Sequence, residues 1–218
     1  MSKRLTFLIL SGPTREYIDP VRYISNESSG KMGVALAQAV LKRGHKIIFI
    51  SGPAAFLPKN VRLIKIVTAL EMFKEVKANF RKADIIISVA AISDYRPYKT
   101  YKRKIKKDNS KIFSIEFKQN PDIIKYCGKN KSNQVVVGFA LETENLIKNA
   151  SIKLKSKNLD LIVSNGTKSF ELDVINVNII SDNSVIEIKD KKKNIIARRI
   201  INETIRIYRN IKTYKNDS

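Results

Sequence analysis

A chain of 218 residues with 43% hydrophobic content has enough apolar material for a full core, and none of its apolar runs approaches the ~20 residues that a membrane helix needs. A single cysteine, Cys127, excludes internal disulfides and multi-cysteine metal centres, and the reading is a half-buried thiol in a cytoplasmic protein. The formal charge of +22, from 42 Lys and Arg against 20 Asp and Glu, points to phosphate-bearing partners, but the cations are dispersed among abundant Lys, Ile and Asn. Compositional drift together with small phosphorylated substrates is therefore favoured over nucleic acid.

Met1-Ser2-Lys3-Arg4 precedes an apolar stretch at residues 5–10 that runs into Gly12-Pro13 without a cleavage pattern, which reads as a first strand and not as a signal peptide. Further β-branched runs at 46–50, 62–67, 84–90, 134–140 and 159–164 alternate with helical patterns at 31–43, 69–81, 121–126 and 143–157. That rhythm predicts an α/β, Rossmann-like, mainly parallel sheet with helices on both faces. Gly44 is placed to end the first helix and Thr68 to cap the second. Over residues 94–119 the chain becomes basic and aromatic, carrying Lys104-Ile105-Lys106-Lys107 and the alternating Ile112-Phe113-Ser114-Ile115-Glu116-Phe117. A segment of that length after a central strand predicts a flap. If it is extended, Lys104 and Lys106 point one way and Lys107 the other, as in a strap over a polyphosphate. Taken alone, a lysine run is more often a solvated face. Runs at 174–180 and 185–188 predict a hairpin about Asp182-Asn183, and the pattern over 194–207 a final amphipathic helix. The expectation is one domain, 1–218, with a hairpin-helix appendage at about 170–209.

The stretch Asp19-Pro20-Val21-Arg22-Tyr23-Ile24-Ser25-Asn26-Glu27-Ser28-Ser29-Gly30-Lys31-Met32-Gly33 places small and polar residues at a helix start, where free N–H groups and the helix dipole favour an anion. It matches neither standard nucleotide loop. A Walker loop needs glycine where Ser25 stands and Ser or Thr where Met32 stands. A dinucleotide fingerprint needs an acidic residue near the end of the second strand, where Ile50-Ser51-Gly52-Pro53 has none. The similar turns Ser11-Gly12-Pro13 and Ser51-Gly52-Pro53 fall at one sheet edge, and turn chemistry and ligand contact both account for them. Asn120-Pro121-Asp122-Ile123 suits a helix cap, and Phe139 suits the core or stacking on a base, with the pattern favouring the core. Lys153 and Lys157 share a helix side, an arrangement common on surfaces. His45 lacks a carboxylate or histidine neighbour in sequence and reads as a turn residue, so histidine-based catalysis is not expected.

In this order Gly12-Pro13-Thr14-Arg15-Glu16, the stretch 19–33, Ser51-Gly52-Pro53, Thr68-Ala69-Leu70-Glu71-Met72, residues 90–97, Lys104 to Lys107, Asn120 to Ile123 and Val137-Gly138-Phe139-Ala140 resemble bacterial phosphopantothenoylcysteine synthetase, or phosphopantothenate-cysteine ligase, over about residues 5–165. The resemblance implies a Mg2+-dependent ligase of coenzyme A biosynthesis. The 4'-phosphopantothenate carboxylate attacks the α-phosphate of CTP, releasing pyrophosphate, and the cysteine amine then displaces CMP from the acyl-cytidylate. By the same resemblance Asn26 handles the acyl-cytidylate and Lys104 contacts the nucleotide phosphates. Asp94, Asn120, Pro121, Asp122, Ile123, Phe139, Lys153 and Lys157 match positions around CTP, and Arg22, Ser28 and Gly30 the phosphopantothenate end. It assigns no metal ligands. It further implies a homodimer, and no flavin in a chain too short for the decarboxylase that many bacteria fuse to this domain, so that the next step falls to a separate protein. Related enzymes elsewhere use ATP. Ser93, Leu141, Gly166 and Ile175 depart from the family pattern, as Phe170-Glu171-Leu172-Asp173 does in part, which bears on geometry near the base and the hairpin and not on the reaction class.

Overall fold

The computed structural model describes residues 3–107, 112–166 and 172–216. Strand β1 (Thr6–Ser11) is followed by a small antiparallel pair, β2 (Arg15–Tyr17) and β3 (Tyr23–Ser25), and by helix α1 (Lys31–Leu41). Next come β4 (Lys46–Ser51), β5 (Arg62–Lys65), α2 (Ala69–Asn79) and β6 (Ile85–Ser88). A second antiparallel pair, β7 (Tyr95–Pro97) and β8 (Phe117–Gln119), leads into α3 (Ile123–Asn130), β9 (Val135–Glu142), α4 (Leu146–Ser156) and β10 (Leu161–Gly166). The hairpin β11 (Val174–Ser181) and β12 (Ser184–Lys192) turns at the expected place and feeds α5 (Lys193–Asn216).

The large sheet has eight strands in the order β12-β11-β10-β9-β6-β1-β4-β5. Pairing is parallel from β10 to β5 and antiparallel for β11 and β12. Parallel strands must be covered on both faces, which explains their unbroken buried runs. Alternation sends Phe7 and Ile9 to one layer with Leu36, Val40 and Ile200 of α1 and α5, and Leu8 and Leu10 to the other with Met72, Cys127 and Leu154 of α2, α3 and α4. Helix α1 lies unusually close to β1, since a Cβ at Gly33 would fall 2.1 Å from Ser11 Oγ. The two Ser-Gly-Pro turns pack on one another, with Gly52 N–H donating to Ser11 O at 3.1 Å.

Several expectations are corrected. Residues 112–116 form no strand, and β8 begins only at Phe117; Ile112 is 81% exposed, so its alternation has no face to bury. Helix α3 starts at Ile123 because the Asp122 carboxylate accepts from Lys125 N–H at 3.0 Å, which leaves Asn120 and Pro121 ahead of the helix. Asn145, at φ 49°, delays α4 to Leu146. Strand β5 stops at Lys65 and α5 continues well past 207. Cys127 is fully buried, and burial, then Asp122, pushes its thiol up to about 12. His45 is no loose turn residue, because its Nδ1 accepts from Leu5 N–H at 3.3 Å and its ring stacks on Phe7. Phe170, Glu171 and residues 108–111 of the expected flap lie outside the described residues.

Thr68 caps α2 as expected, accepting from Glu71 N–H at 3.2 Å while the Glu71 carboxylate accepts from Thr68 N–H. Thr68→Ala is expected to cost about 1 kcal/mol, read as a lower denaturant midpoint with an unchanged slope.

Candidate active site

Chain order reverses at β1, which pairs with β4 on one side and β6 on the other. Open α/β sheets bind ligands outside the carboxyl ends of the strands at such a switch point. A cavity of about 580 Å³ opens there between the turn that precedes α1 and the segment after β6. A smaller one, about 190 Å³, lies beside it, and both are lined by Ala90 and Phe139.

The larger cavity holds Asn26, Ser28 and Gly30 of the expected phosphopantothenate end. Gly30, at φ 80°, turns the chain into α1 with no side chain capping the helix, so the first N–H groups and the positive end of the helix dipole belong to this wall. A Cβ at Gly30 would approach Phe56 O to 2.8 Å. Ser25 Oγ donates to Thr14 O at 2.8 Å, and Asn26 Nδ2 donates to Ile92 O at 3.1 Å. The first ties the turn to the segment after β1 and the second to the loop beyond β6. Leu141 and Ile175, both departures from the family pattern, line the same space. Gly166 has nothing within 4 Å of a built Cβ, so a side chain fits there.

Two cations at this cavity were not singled out from sequence, Lys31 and Lys193. Lys31 pairs with Asp173 at 3.0 Å and lies 5.5 Å from the Phe56 ring centroid. Burial, and after it the Lys31 charge, lowers the Lys193 pKa. Lys31 stands inside the diagnostic turn, but nothing in the sequence places Asp173 beside it.

The smaller cavity gathers Asp94, Asn120, Pro121, Asp122, Ile123, Phe139 and Lys157, separated widely in sequence. Asn120 is fixed on every side. Its Nδ2 donates to Ser93 O at 2.8 Å, its N–H to Asp94 O at 2.7 Å, and its Oδ1 accepts from Arg96 at 2.9 Å. Lys157 pairs with Asp122 at 2.9 Å. Phe139 packs on the core while presenting an edge to both cavities. Ser93 Oγ, also in this lining, is buried with no hydrogen-bond partner. A buried hydroxyl without a partner is costly.

Lys153 is not part of that lining and pairs with Glu142 at 2.7 Å. Arg22 and Lys104 line neither cavity; Arg22 lies in the Asp19 turn and Lys104 in the strap that docks on it. The buried Asp19 carboxylate accepts from Val21 N–H at 2.8 Å, Arg22 N–H at 2.9 Å and Ile105 N–H at 3.1 Å, and pairs with the Arg22 guanidinium at 2.7 Å. Arg22 in turn donates to Ile105 O at 2.6 Å, and Tyr101 N–H to Ile18 O at 2.9 Å. The lysine segment is thus docked through Ile105, with Lys104, Lys106 and Lys107 all exposed; Lys107 does not turn inward. Burial alone would push the Asp19 carboxyl up. The backbone donors Val21, Ile105 and Arg22, with the Arg22 guanidinium, outweigh it and hold the group well below the usual carboxylate range.

A family described as DNA/pantothenate metabolism flavoprotein C-terminal domain matches residues 2–208. The coenzyme A biosynthesis bifunctional protein CoaBC of Borreliella burgdorferi is 43% identical over 202 residues, covering 91% of this chain and 52% of that relative. Its counterpart in Haemophilus influenzae is 42% identical over 209 residues, covering 94% and 52%. The chain spans about half the length of these curated relatives. The crystal structure of the C-terminal domain of a coenzyme A biosynthesis bifunctional protein CoaBC aligns with a TM-score of 0.79 at 34% identity, covering 98% of this chain and 97% of that one.

The depressed Asp19 carboxyl sets the acid behaviour of the strap. Its contribution is complete above the unfolded value of 3.8 and is lost as pH falls through the lower folded value. Hydrogen exchange should therefore show the Ile105 amide protected from neutral pH down to about that value. Asp19→Asn should make the strap at least about tenfold more sensitive to trypsin at neutral pH, because cleavage tracks the open population.

Proposed function

Since the chain belongs to the family of DNA/pantothenate metabolism flavoprotein C-terminal domains, we propose that it joins 4'-phosphopantothenate to L-cysteine at the expense of CTP. The observation that carries this reading is the wall common to the two cavities, Ala90 and Phe139, which lets two bound substrates meet at one point. A carboxylate is a poor electrophile until one oxygen belongs to a good leaving group. The phosphopantothenate carboxylate oxygen bonds to the α-phosphorus of CTP and pyrophosphate departs; the cysteine nitrogen then bonds to the acyl carbon and CMP departs.

In this reading the larger cavity holds phosphopantothenate, with Ser28, Gly30 and the start of α1 as its walls and Lys31 as a cation for its phosphate. The smaller holds the nucleotide among Asp94, Asn120, Pro121, Asp122, Ile123, Phe139 and Lys157, and Ser93 Oγ gains a partner when it binds. Asn26, with one N–H spent on Ile92 O, keeps its carbonyl and second N–H for the acyl-cytidylate as charge develops on it. Lys104 reaches the phosphates when the strap swings from the Asp19 turn toward the nucleotide, and Lys153 does so from α4 by leaving Glu142. Arg22 serves the phosphopantothenate end by holding that turn in place.

No cluster of three or more His, Cys, Asp or Glu fit to hold a metal occurs among the described residues. Of the two carboxylates in the smaller cavity, Asp122 is engaged by Lys125 N–H and Lys157, so Asp94 is the one that would offer magnesium a carboxylate, the ion drawing its other oxygens from substrate phosphates and water. Bound there, the ion would offset triphosphate charge. In this reading the domain works as a homodimer and a flavin-dependent decarboxylase takes its product.

Incubation with phosphopantothenate, cysteine and CTP is expected to yield pyrophosphate and the amide, with ATP a poorer substrate; absence of both products at saturation overturns the reading. Asn26→Ala should slow amide formation about 10²-fold while sparing pyrophosphate release, and Lys104→Ala should slow pyrophosphate release itself. Equal loss of both half-reactions in both variants would remove the separate roles.

A further inference from the structure

The opposite edge of the sheet, at the amino ends of the parallel strands, carries a second concave surface. One cleft of about 410 Å³ presents Arg43, His45, Asn202, Arg206, Arg209 and Asn210. Another of about 440 Å³ adds Arg4, Lys46, Arg62 and Lys82 and meets the first at His45. No described Asp or Glu lines either cleft.

Of the three arginines in the first cleft, one is paired with a carboxylate and one is bonded to neutral carbonyls. Arg206 is held by Glu203 at 2.8 Å. Arg43 donates to Ala39 O at 2.9 Å and to the Asn202 carbonyl, joining the end of α1 to α5 without meeting a carboxylate. Arg209 is exposed and makes no ion pair among the described residues. His45 is 9% exposed, stacked on Phe7 at 5.6 Å, and locked as the Nε2–H tautomer by Leu5 N–H on its Nδ1. The first cleft therefore surrounds one oriented imidazole with guanidinium forks from the end of α1 and from α5, plus two amide side chains.

We propose that this cleft is a binding site for a multiply charged phosphate-class oxyanion, with inorganic pyrophosphate as its simplest representative. Planar guanidinium groups match phosphate oxygens in pairs, and Asn202 and Asn210 supply neutral donors beside them. A nucleic-acid strand is a poorer fit, because no Phe, Tyr or Trp lines either cleft and single-strand binding relies on such stacking platforms. The site lies apart from both cavities of the proposed reaction and does not depend on that reading.

His45 is the single histidine of the chain, so its ring resonance in the histidine-labelled protein reports on this cleft alone. Burial, then Arg43, Arg209 and Arg4, lower its pKa, while Asp84 acts in the opposite sense. A bound anion favours the imidazolium, so pyrophosphate should shift the His45 resonance saturably and raise its titration midpoint. Sodium chloride at matched ionic strength should give only a small shift that does not saturate. Arg209→Ala, at an exposed site, should weaken pyrophosphate binding about tenfold or more with thermal unfolding unchanged. A pyrophosphate response no larger than that of chloride, or one unaltered in Arg209→Ala, overturns the proposal. Saturation by a single-stranded oligonucleotide with none by pyrophosphate overturns it equally and assigns the face to nucleic acid.

Discussion

Parallel pairing on both sides of β1 is the constraint from which the rest of the molecule follows. Parallel neighbours need crossover connections, and a chain that first builds β4 and β5 to one side of β1 and then β6, β9 and β10 to the other leaves a gap between two sets of crossovers. Every loop that leaves a carboxyl end beside this gap reaches the same space. Residues 26–33, 89–94, 120–123 and 139–141 meet there although little in their local sequence relates them. The close seat of Gly33 on Ser11 brings the start of α1 down to the sheet, so that the positive end of its dipole borders the larger cavity.

Charge is organised by the same geometry. On the carboxyl side, most cations near the cavities are already partnered: Lys31 by Asp173, Lys153 by Glu142, Lys157 by Asp122 and Arg22 by Asp19. Exposed pairs of this kind contribute little stability. Asp19 differs, since its buried carboxylate is satisfied largely by backbone N–H groups and positions the strap rather than waiting for a ligand. The amino edge differs, since no described Asp or Glu lines either of its clefts.

Much of the site was legible from sequence, for a physical reason. Strands that will be parallel and buried are written as continuous apolar runs, and the segment that leaves β6, through Ile92-Ser93-Asp94, has nowhere to go except the carboxyl edge, whereas Ser25 to Ser29 and Asn120 to Asp122 reach it only after the short strands β3 and β8. The cap of α2 was equally plain, because Thr68 with Glu71 satisfies backbone donors within a few residues, whereas the pattern over 121–126 began α3 at Pro121, ahead of its actual cap Asp122. Side chains that meet across the fold were not legible. Lys31 and Asp173 pair across 142 residues, and no local pattern encodes that distance. The three-residue strands β2, β3, β7 and β8 fall below the length at which alternation is informative.

The strap shows how one substitution-sensitive contact links these levels. Its lysines carry no local structure of their own, and the alternation of residues 112–117 is left largely unsatisfied. Order comes from Ile105, whose N–H goes to Asp19 and whose carbonyl accepts from Arg22. Arg22 closes the same turn onto Asp19, and that turn continues through β3 into Asn26, which is anchored to Ile92 beyond β6. A displacement of the strap therefore acts on the Asp19 turn and, through three residues of β3, on the mouth of the larger cavity. The stretch 19–33 is thus the joint between the docked lysine segment and the larger cavity.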